Sequence, residues 1–239
     1  MFRYAAVMIY GALFVLFSLP KLRKIKKIGP DVPVALRDNA AHQQPELLGR
    51  RLLKITGSDI TVSGRENIPD GPVLFVSNHQ GNFDIFVCLG YLEKPIGFLS
   101  KVEVKKIPVV PKWMEAINCI FIDRRNRRQA LLSLKEGTEK LRNGHSLLIF
   151  PEGTRSKGRQ LGEFKTGALR MARDAAVPIV PVAINGTYAI MEHNTGPVLK
   201  PASVTLSISK PLLPEDYMNM DLTEIAQRLH HTIQQSLEK

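Results

Sequence analysis

The chain has 239 residues, enough for one large domain with a small appendage. Its apolar share of 44% is that of a globular protein and excludes collagen, coiled-coil and disordered readings. A net charge of +11 calls for an anionic partner, and one tryptophan, five tyrosines and no RNP-like or zinc-finger pattern turn that reading away from nucleic acid, toward anionic lipid or a phosphorylated substrate.

The first element is an apolar run, Tyr4 to Leu19 (YAAVMIYGALFVLFSL), with no charged residue. As a helix it would be roughly 24 Å long, short of the ~30 Å hydrocarbon core, so it either just spans a bilayer or lies shallowly in one. KLRKIKK follows at once, with five basic residues among seven, and no acidic residue comes before Asp31. Such a flank stays cytoplasmic and binds anionic head groups. A cleaved signal peptide fits less well, because no small-x-small site follows the run and the basic cluster is on the wrong side of it. Pro45 to Thr56 (PELLGRRLLKIT) is a second amphipathic stretch, with Leu47, Leu48, Leu52 and Leu53 near helical spacing and Arg50, Arg51 and Lys54 between them. It either packs on the domain or faces a membrane. Residues 1–58 are therefore read as membrane-associating helices with a basic flank, and 59–239 as the main domain.

From about residue 60 short apolar runs alternate with helical patterns. The expected strands are Val73–Ser77, Ile96–Ser100, Cys119–Ile122, Leu147–Phe150, Ile179–Ile184 and Val204–Ile208. The expected helices are Asp84–Tyr91, Arg127–Arg142, Thr166–Ala175 and Leu222–Leu237, with Asn143-Gly144 as a stop signal after the second. This alternation predicts an α/β sandwich. Cys88 and Cys119 both lie inside apolar runs and read as core thiols; no metal spacing or disulfide framework is present.

In such folds chemistry gathers where strands end and helices begin. SNHQGNFD, Ser77 to Asp84, closes one strand and opens a helix. An Asp on one ring nitrogen of His79 would fix its tautomer and stabilise the imidazolium, leaving the other nitrogen to take a proton from an alcohol. The plainer alternative is Asp84 as a helix N-cap beside a turn histidine. No G-x-S-x-G elbow occurs, and no cysteine sits at a strand end before a helix, so the reading is direct activation of an acceptor hydroxyl for attack on an acyl thioester. In NCIFIDRRNRR, Asn118 to Arg128, a buried strand runs into four arginines beside a helix start. Arg124 directly follows the strand and is the best placed to grip a phosphate with its planar fork, whereas Arg125, Arg127 and Arg128 read as solvated surface or head-group contacts. FPEGTRSKG, Phe150 to Gly158, follows another strand; Pro151 and Gly153 shape a loop, Arg155 offers a second fork, and Glu152 would orient an arginine or bind an acceptor hydroxyl. The prolines of VPIVPV, Val177 to Val182, argue against a central strand paired throughout.

These four blocks, N-H-x4-D, I-F-I-D-R, F-P-E-G-T-R-S and V-P-I-V-P-V, stand in order between Asn78 and Val182, and the chain resembles the PlsC-type glycerolipid acyltransferases. The resemblance covers roughly residues 60 to 210. It implies an α/β fold with a mixed sheet flanked by helices behind an N-terminal helical membrane element, and a 1-acyl-glycerol-3-phosphate acyltransferase: His79 the base, Asp84 its orienting carboxylate, and Arg124, Glu152, Gly153, Thr154 and Arg155 around the acceptor phosphate. The family often carries a lysine just before the second block, for which Lys101 and Lys105 are the candidates; Asn118 departs from the glycine common there. The implied acceptor is lysophosphatidic acid and the donor is acyl-CoA or acyl carrier protein, with no metal and no bound cofactor. The implied location is the cytoplasmic face of a membrane, as in bacterial inner membranes. The rivals are the same machinery on glycerol 3-phosphate or another lysophospholipid, and a non-catalytic lipid-binding scaffold, against which intact His79 and Asp84 argue.

Overall fold

The structure is a computed structural model that describes residues 1–238. In chain order its elements are α1 (Phe2–Phe17), α2 (Leu19–Ile25), α3 (Val34–Thr56), β1 (Asp59–Ser63), β2 (Leu74–Ser77), α4 (Asp84–Tyr91), β3 (Gly97–Lys101), α5 (Val110–Ala116), β4 (Ile120–Ile122), α6 (Arg127–Arg142), β5 (Leu147–Ile149), α7 (Arg170–Ala175), β6 (Ile179–Asn185), β7 (Ser203–Ile208), α8 (Pro214–Tyr217) and α9 (Leu222–Leu237).

Among the described residues the strands form a seven-stranded sheet in the order β1-β7-β6-β2-β5-β3-β4. The run β6-β2-β5-β3-β4 is parallel throughout. β7 joins β6 antiparallel, and β1 lies parallel to β7 at the edge. The sheet is therefore mixed, as the resemblance implied. Its centre is buried on both faces, as a parallel sheet requires. In β2 the period of two is explicit: Phe75 enters one core with Leu52, Leu53, Val87 and Leu92, while Leu74 and Val76 enter the other with Leu141, Leu169, Leu229 and Ile233.

Local signals explain several boundaries. Asn126 caps α6 by accepting from the Gln129 N–H at 3.0 Å. α9 starts with a full capping box, Asp221 accepting from the Glu224 N–H and Glu224 accepting from the Asp221 N–H. The helix expected over Thr166–Ala175 divides into a 3-10 turn, Gly167–Leu169, and α7. Strand β1 has no counterpart in the sequence reading, because it is short, polar and half exposed, and its pairing with β7 spans some 140 residues of chain. The prolines of VPIVPV do not keep that segment out of the sheet: β6 is central and fully buried except at Asn185. The missing N–H of Pro181 falls where the ladder to β7 breaks, between the Val182–Ile208 pair and an isolated Ile179–Leu212 bridge.

The second amphipathic stretch is the end of a longer helix. α3 begins at Val34 and runs through Pro45. It crosses α4 so closely that a Cβ on Gly49 would sit 2.6 Å from the Phe86 carbonyl oxygen, and one on Gly90 would sit 3.0 Å from the Arg50 nitrogen. The apolar face of α3 is thus part of the main core, while Leu36 and Leu47 remain exposed. The amino-terminal run is α1, followed by α2 after a 45° bend. Among the described residues no single helix is long and apolar enough to cross a membrane; the bent pair together passes on length and composition. α1 buries Val7 and sets Gly11 against Leu52, and Ser18 accepts from the Trp113 indole N–H at 2.9 Å. Its other side presents Phe2, Met8, Ile9, Leu13, Leu16 and Phe17 outward.

Candidate active site

The parallel register aims the carboxyl ends of β2, β3, β4, β5 and β6 at one edge of the sheet. His79, Lys101, Arg124, the 150–158 loop and Thr187 all follow those ends, so one edge gathers the polar residues of four sequence blocks.

His79 leaves β2 in a turn that the structure pins from several sides. Asn78 bridges to β6 as a backbone would, its amide donating to the Ile184 carbonyl and its oxygen accepting from the Ile184 N–H, each at 2.8 Å. Gln80 accepts from the Gly186 N–H at 2.9 Å. The His79 ring stacks on Phe150, with centroids 4.1 Å apart and planes 14° from parallel.

Asp84 stands at the first turn of α4 and is fully buried. Its Oδ2 accepts from His79 Nδ1 at 2.7 Å and from the Gly81 N–H at 2.9 Å, and its Oδ1 accepts from the Thr187 hydroxyl. The carboxylate is therefore turned back toward the histidine, and the plainer N-cap role does not describe it: no side chain caps α4. With Nδ1–H donating to Asp84, Nε2 carries the free lone pair, and no hydrogen bond among the described residues engages it. The His79 side chain is 16% exposed, so that lone pair remains reachable.

Glu152 departs from the sequence expectation of a residue open to the acceptor. It is buried, and both oxygens are taken by backbone donors: Oε1 by the His79 N–H at 2.6 Å and Oε2 by the Gly162 N–H at 2.9 Å. Burial holds its carboxyl above its ordinary value, and the two N–H donors offset only part of that rise. Glu152 is a strut that ties the β5 loop to the backbone of His79. The same loop also grips that turn through the Ser156 N–H, which donates to the His79 carbonyl at 2.8 Å.

The two arginines are held by different partners. Arg124 Nη1 donates to the Gly153 carbonyl, which draws the guanidinium onto the β5 loop. Arg155 Nη1 reaches Asn82 and the buried Glu192, the latter at 3.3 Å, and Glu192 also accepts from the Asn82 N–H at 2.8 Å. Arg155 thus clasps the His79–Asp84 turn to the 186–194 segment, with its charge offset by Glu192. Gly153 has φ +73°, a left-handed conformation that suits glycine, and Thr154 is exposed beside it. Lys101 is exposed at the end of β3, and Lys105 sits with Nζ 4.8 Å over the Phe121 ring. Among the described residues neither lysine hydrogen-bonds to the His79 turn or to the β5 loop. Cys88 and Cys119 are buried core thiols; burial pushes Cys119 up to about 12.

Sequence reasoning missed Thr187 and Glu192. Both follow β6 on the same edge, and the strand-end rule that singled out His79 and Arg124 applies equally to Gly186-Thr187. Thr187→Val keeps the shape but strips Asp84 Oδ1 of its donor in a fully buried site. The expected result is a fall of roughly tenfold in kcat and a loss of about 1–3 kcal/mol of stability. Thr187→Ser restores both, and a Val variant with wild-type kcat would remove Thr187 from the site.

The Acyltransferase family model matches residues 59–185, just over half of the chain. A Mycoplasma pneumoniae protein named "Probable 1-acyl-sn-glycerol-3-phosphate acyltransferase" is 32% identical over 237 residues, which cover 94% of this chain and 86% of that protein. The 1-acyl-sn-glycerol-3-phosphate acyltransferase of Saccharomyces cerevisiae is 31% identical over 187 residues, 77% of this chain and 61% of that protein. The crystal structure of the 1-acyl-sn-glycerophosphate (LPA) acyltransferase PlsC from Thermotoga maritima matches with a TM-score of 0.86 at 27% identity, covering 99% of this chain and 94% of that one. With the His–Asp turn, the family match and a relative aligned along nearly its whole length, this chain belongs to the Acyltransferase family and is an acyl-transferring enzyme.

Proposed function

We propose that this acyltransferase esterifies the sn-2 hydroxyl of 1-acyl-sn-glycerol 3-phosphate, lysophosphatidic acid, to give phosphatidic acid. The donor is an acyl thioester on coenzyme A or acyl carrier protein, and no bound cofactor takes part. The observation that carries the reading is the 2.7 Å contact between His79 Nδ1 and the buried Asp84, which leaves Nε2 open at the sheet edge. The acceptor hydroxyl gives its proton to Nε2 as its oxygen attacks the thioester carbonyl, and Asp84 stabilises the resulting imidazolium. The tetrahedral intermediate collapses, the C–S bond breaks, and the imidazolium proton goes to the leaving thiolate. The names of the Mycoplasma, yeast and Thermotoga relatives support the choice of acceptor. The test is thiol release from acyl-CoA by purified protein in detergent or vesicles. Release should depend on lysophosphatidic acid and yield phosphatidic acid; release that responds to glycerol 3-phosphate alone would replace the acceptor.

The enzyme works at an anionic membrane surface on its cytoplasmic side. The outward apolar face of α1 and the basic residues of α2 and the turn after it support this: the face supplies apolar area, and Lys21, Arg23, Lys24, Lys26 and Lys27 attract anionic head groups. Deleting residues 1–28 would remove this face, but it would also expose Trp113 and the α3 stripe under Val7. A triple variant, Ile9→Ser, Leu13→Ser and Leu16→Ser, alters only exposed positions. Its partitioning onto vesicles containing anionic lipid is expected to fall by at least a hundredfold, since full burial of a side chain of this size is worth ~1.5–3 kcal/mol and each of the three, already about half covered, would gain about half of that, with Tm unchanged. Undiminished co-sedimentation after salt and carbonate washing would place the attachment elsewhere.

A further inference from the structure

Resting on the reading above, we infer that Lys165, which lies outside the four sequence blocks, binds the acceptor phosphate together with Arg124 across Gly153. The two residues reach that point from different strands of the sheet. Arg124 follows β4 and is anchored by its bond to the Gly153 carbonyl. Lys165 closes the long loop after β5: its N–H donates to the Pro151 carbonyl at 3.0 Å, and its neighbour Phe164 is buried in the core. A Cβ built on Gly153 would lie 2.9 Å from Arg124 Nη1 and 3.2 Å from Lys165 Nζ. Two cationic heads therefore meet over one glycine, and any side chain there would sit between them.

The charges are not offset within the protein. Among the described residues neither Arg124 nor Lys165 belongs to an ion pair. The nearby carboxylates are committed elsewhere: Glu152 to two backbone N–H groups, Glu192 to Arg155 and Asn82, and an Asp123 oxygen to the Arg125 N–H. Like charges repel, and both side chains are exposed and long enough to separate into water. A phosphate monoester, with a charge near −2 at neutral pH, matches two converged cations. Arg supplies the planar fork and Lys the compact point charge.

Phosphate is present on both substrates, and the position of the pair selects the acceptor. The Gly153 loop is braced to the His79 backbone through Glu152, and Phe150 of the same loop lies against the imidazole. The acceptor's sn-2 oxygen must sit at Nε2, and its phosphate is carried on the adjacent sn-3 carbon, one CH2–O unit from the carbon that bears the reacting hydroxyl. A grip on that loop therefore holds the hydroxyl at the base. The phosphates of coenzyme A lie at the far end of a long pantetheine arm from the reacting carbonyl.

The test uses the full chain in vesicles and the variants Lys165→Met, Lys165→Gln and Lys165→Arg, all at an exposed position. Saturation curves are taken in lysophosphatidic acid and in acyl-CoA, together with inhibition by glycerol 3-phosphate. Lys165→Met and Lys165→Gln should raise the KM for lysophosphatidic acid about tenfold and weaken glycerol 3-phosphate by a similar factor. The KM for acyl-CoA should be unchanged, and Lys165→Arg should recover most of the loss. A rise confined to the acyl-CoA KM would assign Lys165 to the donor, and unchanged values in both substrates would remove it from the site; either result overturns the inference. Failure of the acceptor reading is seen separately, as wild-type protein that releases no thiol with lysophosphatidic acid.

Discussion

His79→Ala is expected to lower kcat by about 10²–10⁴-fold, the usual worth of a positioned general base, with the acceptor KM little changed. Loss of the imidazole removes the group that accepts the hydroxyl proton, but not the turn that holds it. Asn78 and Gln80 keep their bonds to β6, and Glu152 binds the backbone N–H of residue 79, not its side chain. Asp84→Asn is expected to be nearly as severe, for two reasons. An amide nitrogen facing Nδ1 forces the ring proton onto Nε2, the nitrogen that must be bare. An amide also has one acceptor oxygen where Asp84 uses two, so it loses the Thr187 hydroxyl or opposes the Gly81 N–H. The measurement is a pair of kcat and KM determinations alongside a thermal melt. A folded His79→Ala enzyme with near-normal turnover would sink the mechanism.

Arg124→Ala is expected to cost on the order of 1.5–3 kcal/mol of charge-assisted interaction, roughly a ten- to hundredfold fall in kcat/KM. The loss should appear in the acceptor KM and spare the donor KM. Lysine at this position should rescue only in part, since it keeps the charge and loses the fork. Arg155→Ala is expected to give a different pattern. Its partner Glu192 is 5% exposed, so removing the guanidinium leaves a buried carboxylate with only the Asn82 N–H. Because Arg155 is itself 36% exposed, solvent screens part of that penalty, and the stability loss is about 1–2 kcal/mol. Arg155→Ala should therefore lower Tm as well as activity, whereas Arg124→Ala should lower activity alone. If both variants weaken acyl-CoA and spare lysophosphatidic acid, the arginines hold coenzyme A and the acceptor-phosphate assignment is wrong.

What the sequence determined by itself is what local chain geometry determines. His79 and Asp84 lie five residues apart across one strand-to-helix turn, so their contact needs only that turn. Arg124 comes soon after its strand, and the short apolar runs and helical patterns marked the central strands and the helices from Asp84, Arg127 and Leu222 within a residue or so. The tertiary structure decided whatever joins distant segments. The Thr187 hydroxyl reaches Asp84 across 103 residues of chain, and Glu152 reaches His79 across 73. No local pattern separates that buried glutamate from a solvent-facing one. β1 is a strand only because β7 offers it an edge, and α3 joins the core only because two glycines let it cross α4. Lys165 meets Arg124 because β4 and the β5 loop end on the same side of a parallel sheet, and strand order is set by packing both faces of the sheet, which residue-by-residue periodicity does not encode.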